Sequence, residues 1–315
     1  MAKKTCSRCR KGKTVIDLPY VNQSLCGDCF VKFFERRVQR TIRRNELLET
    51  KDKTAVALSG GKDSMAVLTI LKSLSYKAPA SELFAIIIDE GVPGYRDELV
   101  KRGAKYCEEL GVPYHIFSFK KELGMTIMEM VKKAEKKGLD MLPCSYCGVF
   151  RRQLLNQKAR ELGATKIATG HNLNDECETA LMNFFKGDVS RIARAGATVG
   201  VIKDKLFVPR IKPLRETPED EVLLYTKLKK IPVIKGKCPY SRDSFRTAVN
   251  KVTLQLEEAY PGIHYQMLSS IDQLVPILKE HYDTNKWEAR VCDCGEISSQ
   301  DVCKFCQMKK ALGLD

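Results

Sequence analysis

Ser59-Gly60-Gly61-Lys62-Asp63-Ser64 lies between a β-branched run, Thr54-Ala-Val-Ala-Leu58, and an apolar-periodic run, Met65-Ala-Val-Leu-Thr-Ile-Leu71. The order predicts a strand, a tight turn and a helix start. Anions bind at such turns, because two glycines let the backbone approach a phosphate and the unpaired amides of the first helical turn point at it. Lys62 adds a mobile positive charge. The pattern is not a Walker loop, which needs glycine where this chain has Val56 and Ser or Thr where it has Asp63.

Outward from that turn, strand and helix patterns alternate from Thr54 to about Leu214. The runs Leu83–Asp89, Pro113–Phe119 and Thr165–Thr169 read as strands. Arg96–Leu110, Thr126–Lys137, Ser145–Leu162 and Asp175–Lys186 read as helices, each closed by a glycine. The expected fold class is α/β, a parallel sheet covered on both faces with ligands at the carboxyl ends of its strands. The unusual polar residues fall at those ends: Ser59–Ser64, Asp89-Glu90-Gly91, and Gly170-His171-Asn172-Leu173-Asn174-Asp175-Glu176. Asp175 has a plainer reading as a helix cap. The basic, glycine-containing stretch 188–212, with Arg191, Arg194, Lys203, Lys205 and Arg210, reads as a nucleic-acid loop or a disordered flap. From Thr217 the chain reads as helical to about Tyr282, and Arg242, Arg246 and Lys251 add charge near Cys238.

The 315 residues can bury a large core, and 43% hydrophobic with 30% charged residues excludes wholesale disorder. No apolar run approaches a membrane span, and Met-Ala-Lys-Lys-Thr at the start lacks the apolar stretch of a signal peptide, so no membrane association and a cytoplasmic location are expected. A net charge of +15 with pI near 9.2 calls for a polyanionic partner. Lys32, Arg36, Arg37, Arg40, Arg43 and Arg44 share one broad face if Phe30–Leu48 is helical, which suits nucleic acid better than membrane.

Thirteen cysteines in an intracellular chain argue for metal rather than disulfides. Cys6 and Cys9, then sixteen residues, then Cys26 and Cys29 have zinc-ribbon spacing. Cys292, Cys294, Cys303 and Cys306 read as a second ribbon whose first pair is short by one residue. Cys107 and Cys177 read as buried single thiols. That leaves Cys144 and Cys147, which open a helix carrying Arg151 and Arg152, and the distant Cys238. Three thiolates can bind iron and sulphide while leaving one iron open; a redox pair plus a lone thiol is the other reading.

The loop Ser59–Ser64 resembles the pyrophosphate loop of the ATP pyrophosphatase (PP-loop) superfamily. Together with Ile88-Asp-Glu-Gly-Val-Pro-Gly-Tyr-Arg96, Pro143–Arg152, Gly170–Glu176 and Cys238-Pro-Tyr, bracketed by two ribbons, it resembles the tRNA 2-thiouridine synthetases: the archaeal and eukaryotic cytoplasmic tRNA 2-thiolation proteins and their thermophilic bacterial relatives. The resemblance implies an adenine nucleotide α-hydrolase-like fold, a homodimer, ATP, Mg2+, tRNA, a [4Fe-4S] cluster and two Zn2+. It assigns the cluster to Cys144, Cys147 and Cys238, with Cys144 and Cys238 also counted as catalytic. Ser59, Gly60, Gly61, Lys62, Asp63 and Ser64 fall to the phosphates, Ile88 and Gly170 to the flanks of the nucleotide, and Asp175 to catalysis or magnesium. Arg151 stands where relatives often carry Lys, in a phosphate-binding or catalytic role. The implied layout is a ribbon at 1–30, a basic linker helix at 31–50, the catalytic domain at 51–215, its helical C-terminal part at 216–288 and a ribbon at 289–315.

The expected reaction begins with attack of a tRNA uridine O2 on the α-phosphate of ATP. Pyrophosphate leaves, Lys62 and Mg2+ offset its charge, and sulphur from the open iron then displaces AMP at C2. Position 34 is the favoured target and position 54 the second. Free sulphide, a desulphurase and a ubiquitin-like thiocarboxylate carrier are all compatible as the sulphur donor. The competing readings are a tRNA 2-thiocytidine synthetase, a cluster-free enzyme with a persulphide on Cys144 or Cys238, and a non-catalytic zinc-ribbon RNA-binding protein.

Overall fold

The structure is a computed structural model that describes residues 5–75, 80–139, 142–199, 207–234, 236, 238–240, 245–284, 290–298 and 300–314. Lys203, Lys205 and Arg242 lie outside that range.

A short antiparallel hairpin, β1 (Ile16–Leu18) and β2 (Gln23–Leu25), leads into α1 (Gly27–Arg44). Next come β3 (Lys53–Ala57), α2 (Lys62–Ser75), β4 (Glu82–Asp89), α3 (Arg96–Leu110), β5 (Tyr114–Ser118), α4 (Phe119–Leu123), α5 (Ile127–Lys136), α6 (Pro143–Glu161), β6 (Lys166–Ala168) and α7 (Leu173–Phe185). These elements bear out the expected alternation, with most ends moved by one or two residues; α2 extends the run Met65–Leu71 by three residues before and four after, and α4 is an added short helix. The stretch read as a loop or flap instead holds α8 (Val189–Ala193) and two short strands, β7 (Thr198–Val199) and β8 (Arg210–Ile211). The helical part is α9 (Glu219–Leu228), α10 (Phe245–Ala259) and α11 (Ile263–Thr284), followed by the hairpin β9 (Arg290–Val291) and β10 (Ile297–Ser298) and by α12 (Lys304–Leu312).

The main sheet has the order β5-β4-β3-β6-β8-β7, parallel except for β7, which runs antiparallel to β8. Successive connections lead from β3 outward to β5, and the chain then returns to the other side of β3 as β6. The order therefore reverses between β3 and β6, and the carboxyl ends of those strands frame the crevice where an open α/β sheet takes its ligand.

Both faces of the sheet are buried, as the unbroken apolar runs of β3 and β4 require. Side chains alternate across it: Val56, Ala85 and Ile87 belong to one core, and Ala55, Phe84, Ile86 and Ile88 to the other. Leu18 and Leu25 of the N-terminal hairpin pack into the first core with Phe30 and Phe34 of α1, beside α2 and α9. Met308, Leu312 and Leu314 pack into the second with α5 and α6, where Phe305 meets Phe150 edge-on at 5.0 Å.

The basic helix departs from expectation at one position. Lys32, Arg36, Arg40, Arg43 and Arg44 are exposed, but Arg37 is buried among Glu221, Tyr20 and Tyr265. Its place in a run of cations hid a partner far away in the chain. Cys107 and Cys177 are buried as expected. Among the described residues, no helix is long and apolar enough to cross a membrane.

Candidate functional site

The loop between β3 and α2 is braced by its two serines. Ser64 Oγ accepts the Ser59 amide at 3.1 Å and donates to the Gly61 carbonyl at 3.0 Å. Gly60 has φ +80°, and a Cβ there would lie 2.6 Å from the Leu99 carbonyl oxygen, so only glycine fits. Gly170, at the end of β6, comes so close that a Cβ would sit 2.8 Å from the Ser64 amide nitrogen. The phosphate loop and the Gly170 turn are thus in contact across the crevice, and the first-turn amides of α2 face it.

Asn172 ties two carboxylates together at that crevice. It donates from Nδ2 to Asp63 at 3.1 Å, and its backbone amide donates to Asp175 at 3.2 Å. The N-cap of α7 is Asn172 rather than Asp175; Asp175 sits at the third position and closes the capping box, so it serves the helix start beside any chemical role. Burial pushes both carboxyls above their usual range; Lys62 opposes the shift at Asp63, and the Asn172 amide and Arg246 oppose it at Asp175. Two partly buried carboxylates beside the loop suit a hard divalent cation such as Mg2+. Lys62 does not reach toward the cysteines. Its ammonium donates to Asp63 at 2.9 Å and to Glu219 at 2.8 Å, in a cleft shared with Tyr20 and Asn174.

A separate cavity of about 360 Å³ opens on the other side of the loop, lined by Ser59, Glu90, Arg151, Cys144, Cys147 and Cys238 among others. The structure therefore brings the three cysteines together and sets them beside the loop. Cys144 Sγ approaches the Tyr240 carbonyl at 3.6 Å. Burial pushes the Cys147 thiol up to about 11, with Arg151 pulling the other way. Among the described residues these three are not drawn together as tightly as the two four-cysteine sets. Three thiols lining one cavity suit a four-iron cube with one iron left open. The Ile88 side chain is in the core, and its carbonyl at the end of β4 accepts Arg96 Nε at 2.9 Å.

In each four-cysteine set the sulphur atoms lie within 4.8 Å of one another. Backbone amides aim at the sulphurs: Gly12 at Cys9 at 3.4 Å, Cys303 at Cys292 at 3.3 Å and Cys306 at Cys303 at 3.4 Å. The Cys9 amide heads the contacts that bring the Cys6 thiol down to about 6, and the Cys303 amide those that bring Cys292 down to about 7. Burial pushes other members of the sets the opposite way, Cys29 up to about 12 and Cys294 up to about 11, so four thiolates crowded around one centre need a cation among them, which fits Zn2+.

Several residues of the site escape a reading from motifs alone. Glu90 stands among the polar residues at a strand end and Arg96 closes the quoted Ile88–Arg96 stretch, but neither has a role assigned by the motif. Glu219 looks like an acidic first helical turn. Arg246, read as charge for a polyanion, is engaged with Asp175 at 3.3 Å and Glu178 at 2.8 Å.

With this geometry established, comparison with known proteins is specific. The model of the PP-loop domain family matches residues 32–255. The chain is 36% identical to the tRNA 2-thiolation protein NcsA of Haloferax volcanii over 98% of both chains. It is 34% identical to the cytoplasmic tRNA 2-thiolation protein 1 of Xenopus laevis, over 98% of this chain and 88% of that one. The solved structure of the U34-tRNA thiolase NcsA from Methanococcus maripaludis, with its [4Fe-4S] cluster, superposes with a TM-score of 0.83 at 36% identity, covering 98% of this chain and 97% of that one.

Proposed function

The chain belongs to the PP-loop family of tRNA 2-thiolation proteins, and on that premise we propose that it is an ATP-dependent tRNA sulphurtransferase making 2-thiouridine at position 34. The observation that carries this reading is the single cavity shared by Ser59 and Gly61 of the phosphate loop and by Cys144, Cys147 and Cys238. Likeness to a U34 thiolase supports position 34 over position 54 and over a thiocytidine synthetase. An intact loop with braced serines speaks against a non-catalytic RNA-binding protein.

The loop amides and Ser64 hold the phosphates of ATP, with Gly170 closing the crevice above them and Ile88 framing its side. Asp63 and Asp175 would hold Mg2+, which would offset charge on the departing phosphates. Arg151 reaches the α-phosphate from the cysteine side, where a guanidinium can grip two oxygens at once. Held in line, uridine O2 attacks the α-phosphate and pyrophosphate leaves; the barrier is mainly positional and electrostatic. AMP then becomes the leaving group when sulphur attacks C2. A [4Fe-4S] cluster on Cys144, Cys147 and Cys238, when bound, supplies an open iron that carries the sulphur. The persulphide reading needs no such cluster, and likeness to a cluster-bearing relative favours the cluster.

The two four-cysteine sets hold structural Zn2+. The exposed cations of α1 face tRNA in a cytoplasmic homodimer supplied by sulphide or a ubiquitin-like thiocarboxylate carrier.

The test is Cys238→Ser in protein reconstituted without oxygen. Thiolation should vanish, measured by mass spectrometry of digested tRNA, while ATP binding persists. Unchanged thiolation overturns the reading. A colourless wild-type protein, fully active, overturns the cluster and leaves the persulphide route.

A further inference from the structure

Glu90 is 4% exposed and engaged through both oxygens. Oε2 meets Arg96 Nε at 2.5 Å, and Oε1 meets Arg151 Nη1 at 3.3 Å. The two contacts differ in kind. Arg96 is itself 5% exposed and also donates to the Ser59 carbonyl at 2.5 Å and the Ile88 carbonyl at 2.9 Å. It is therefore pinned to the carboxyl ends of β3 and β4, and it pins Glu90 with it. Arg151 rises from α6 one turn beyond Cys147, its side chain is 49% exposed, and its contact with Glu90 is the longer one.

We propose that Glu90 is a positioning residue for the proposed adenylation: fixed by Arg96, it holds Arg151 between the phosphate loop and the three cysteines and yields it to the nucleotide phosphate. The proposal rests on the reading that this cavity takes ATP with Arg151 at its phosphates. The chemistry follows from competition. A buried carboxylate and a phosphate are alternative partners for one guanidinium, and the carboxylate restrains the arginine before the nucleotide arrives. Glu90 thus opposes ATP binding slightly while narrowing the positions from which Arg151 can act. Arg96 makes the arrangement one-sided, since it is tied to two backbone carbonyls and cannot leave.

Glu90→Gln keeps the shape and removes the charge. The variant should bind ATP more readily and use it less well: KM for ATP falls by roughly threefold, and kcat for tRNA-dependent AMP formation falls by roughly tenfold. Glu90→Asp, which restores charge on a shorter arm, should recover part of kcat. A residue that merely supports the fold would instead lower thermal stability and active fraction with KM unchanged. The experiment uses full-length holoenzyme reconstituted without oxygen, as wild type, E90Q, E90D, R151M and E90Q/R151M. KM, kcat and melting temperature are measured on each. The expected result is that E90Q changes nothing further in the R151M background. E90Q effects that persist there, or an E90Q enzyme with unchanged KM and a lower melting temperature, overturn the proposal. R151M with wild-type KM and kcat overturns the underlying reading of Arg151, and the proposal with it.

Discussion

Arg37 of α1 pairs with Glu221 of α9 at 3.0 Å, with side chains only 4% and 1% exposed. The pair is further bound by hydrogen bonds from Arg37 to Tyr265 at 2.9 Å and to Tyr20 at 2.5 Å. Burying two charges is costly, and only full pairing offsets that cost. Arg37→Ala leaves Glu221 uncompensated and should destabilise the protein by about 3–5 kcal/mol in denaturant unfolding. A loss below about 1 kcal/mol, the value of an exposed pair, would mean that water reaches the site.

Gly170→Ala places a methyl group 2.8 Å from the Ser64 amide nitrogen and 2.9 Å from the Asp63 carbonyl carbon. Neither is the end of a flexible side chain, so the loop itself has to move, at a cost of about 1–3 kcal/mol. Calorimetry with a non-hydrolysable ATP analogue should show affinity lower by roughly tenfold or more. Wild-type affinity would show that the loop does not need its present shape to bind nucleotide.

Removing metal from the two ribbons should be felt as stability before it is felt as chemistry. Each set contributes thiolates that repel one another without a cation. Elemental analysis should find two zinc ions per chain for the two sets, apart from iron, and a strong chelator should lower the melting temperature. Preparations that are fully stable with no zinc would exclude the ribbon assignment.

Glu129 gives a pH signature away from the site. Lys120 and then the Thr126 amide hold its carboxyl at about 2, down from 4.5, in the capping box of α5. A depressed folded-state value means that its contribution is complete above 4.5 and fades as pH falls toward about 2. Stability curves for wild type and Glu129→Gln should therefore run a constant distance apart at neutral pH and converge in that acid window. Curves that stay parallel down to pH 2 would show that the carboxylate gains nothing on folding.

The turn after β3 could be read in advance because its signals are local: a buried strand, two glycines and a helix start lie within one short stretch. The two ribbons could be read because metal ligands impose fixed spacing on a continuous chain. Arg37 could not, since its partner Glu221 is brought to it only by tertiary packing and its neighbours in sequence are exposed cations. The strands β7 and β8 escaped for another reason. Each has two residues, too few for an alternating pattern, and they take their place only by pairing with β6 and with each other. Glu90 and Arg96 lay in view within a quoted motif, yet their roles depend on Ser59 and Arg151, which only the folded sheet puts within reach.

The two terminal ribbons pack against different cores, one on each side of the central sheet. Because the apolar contacts of each ribbon lie with one core only, an oxidant that strips one set of thiols should loosen the core on its own side of the sheet first. Damage of this kind should appear in two independent stages, each with its own threshold.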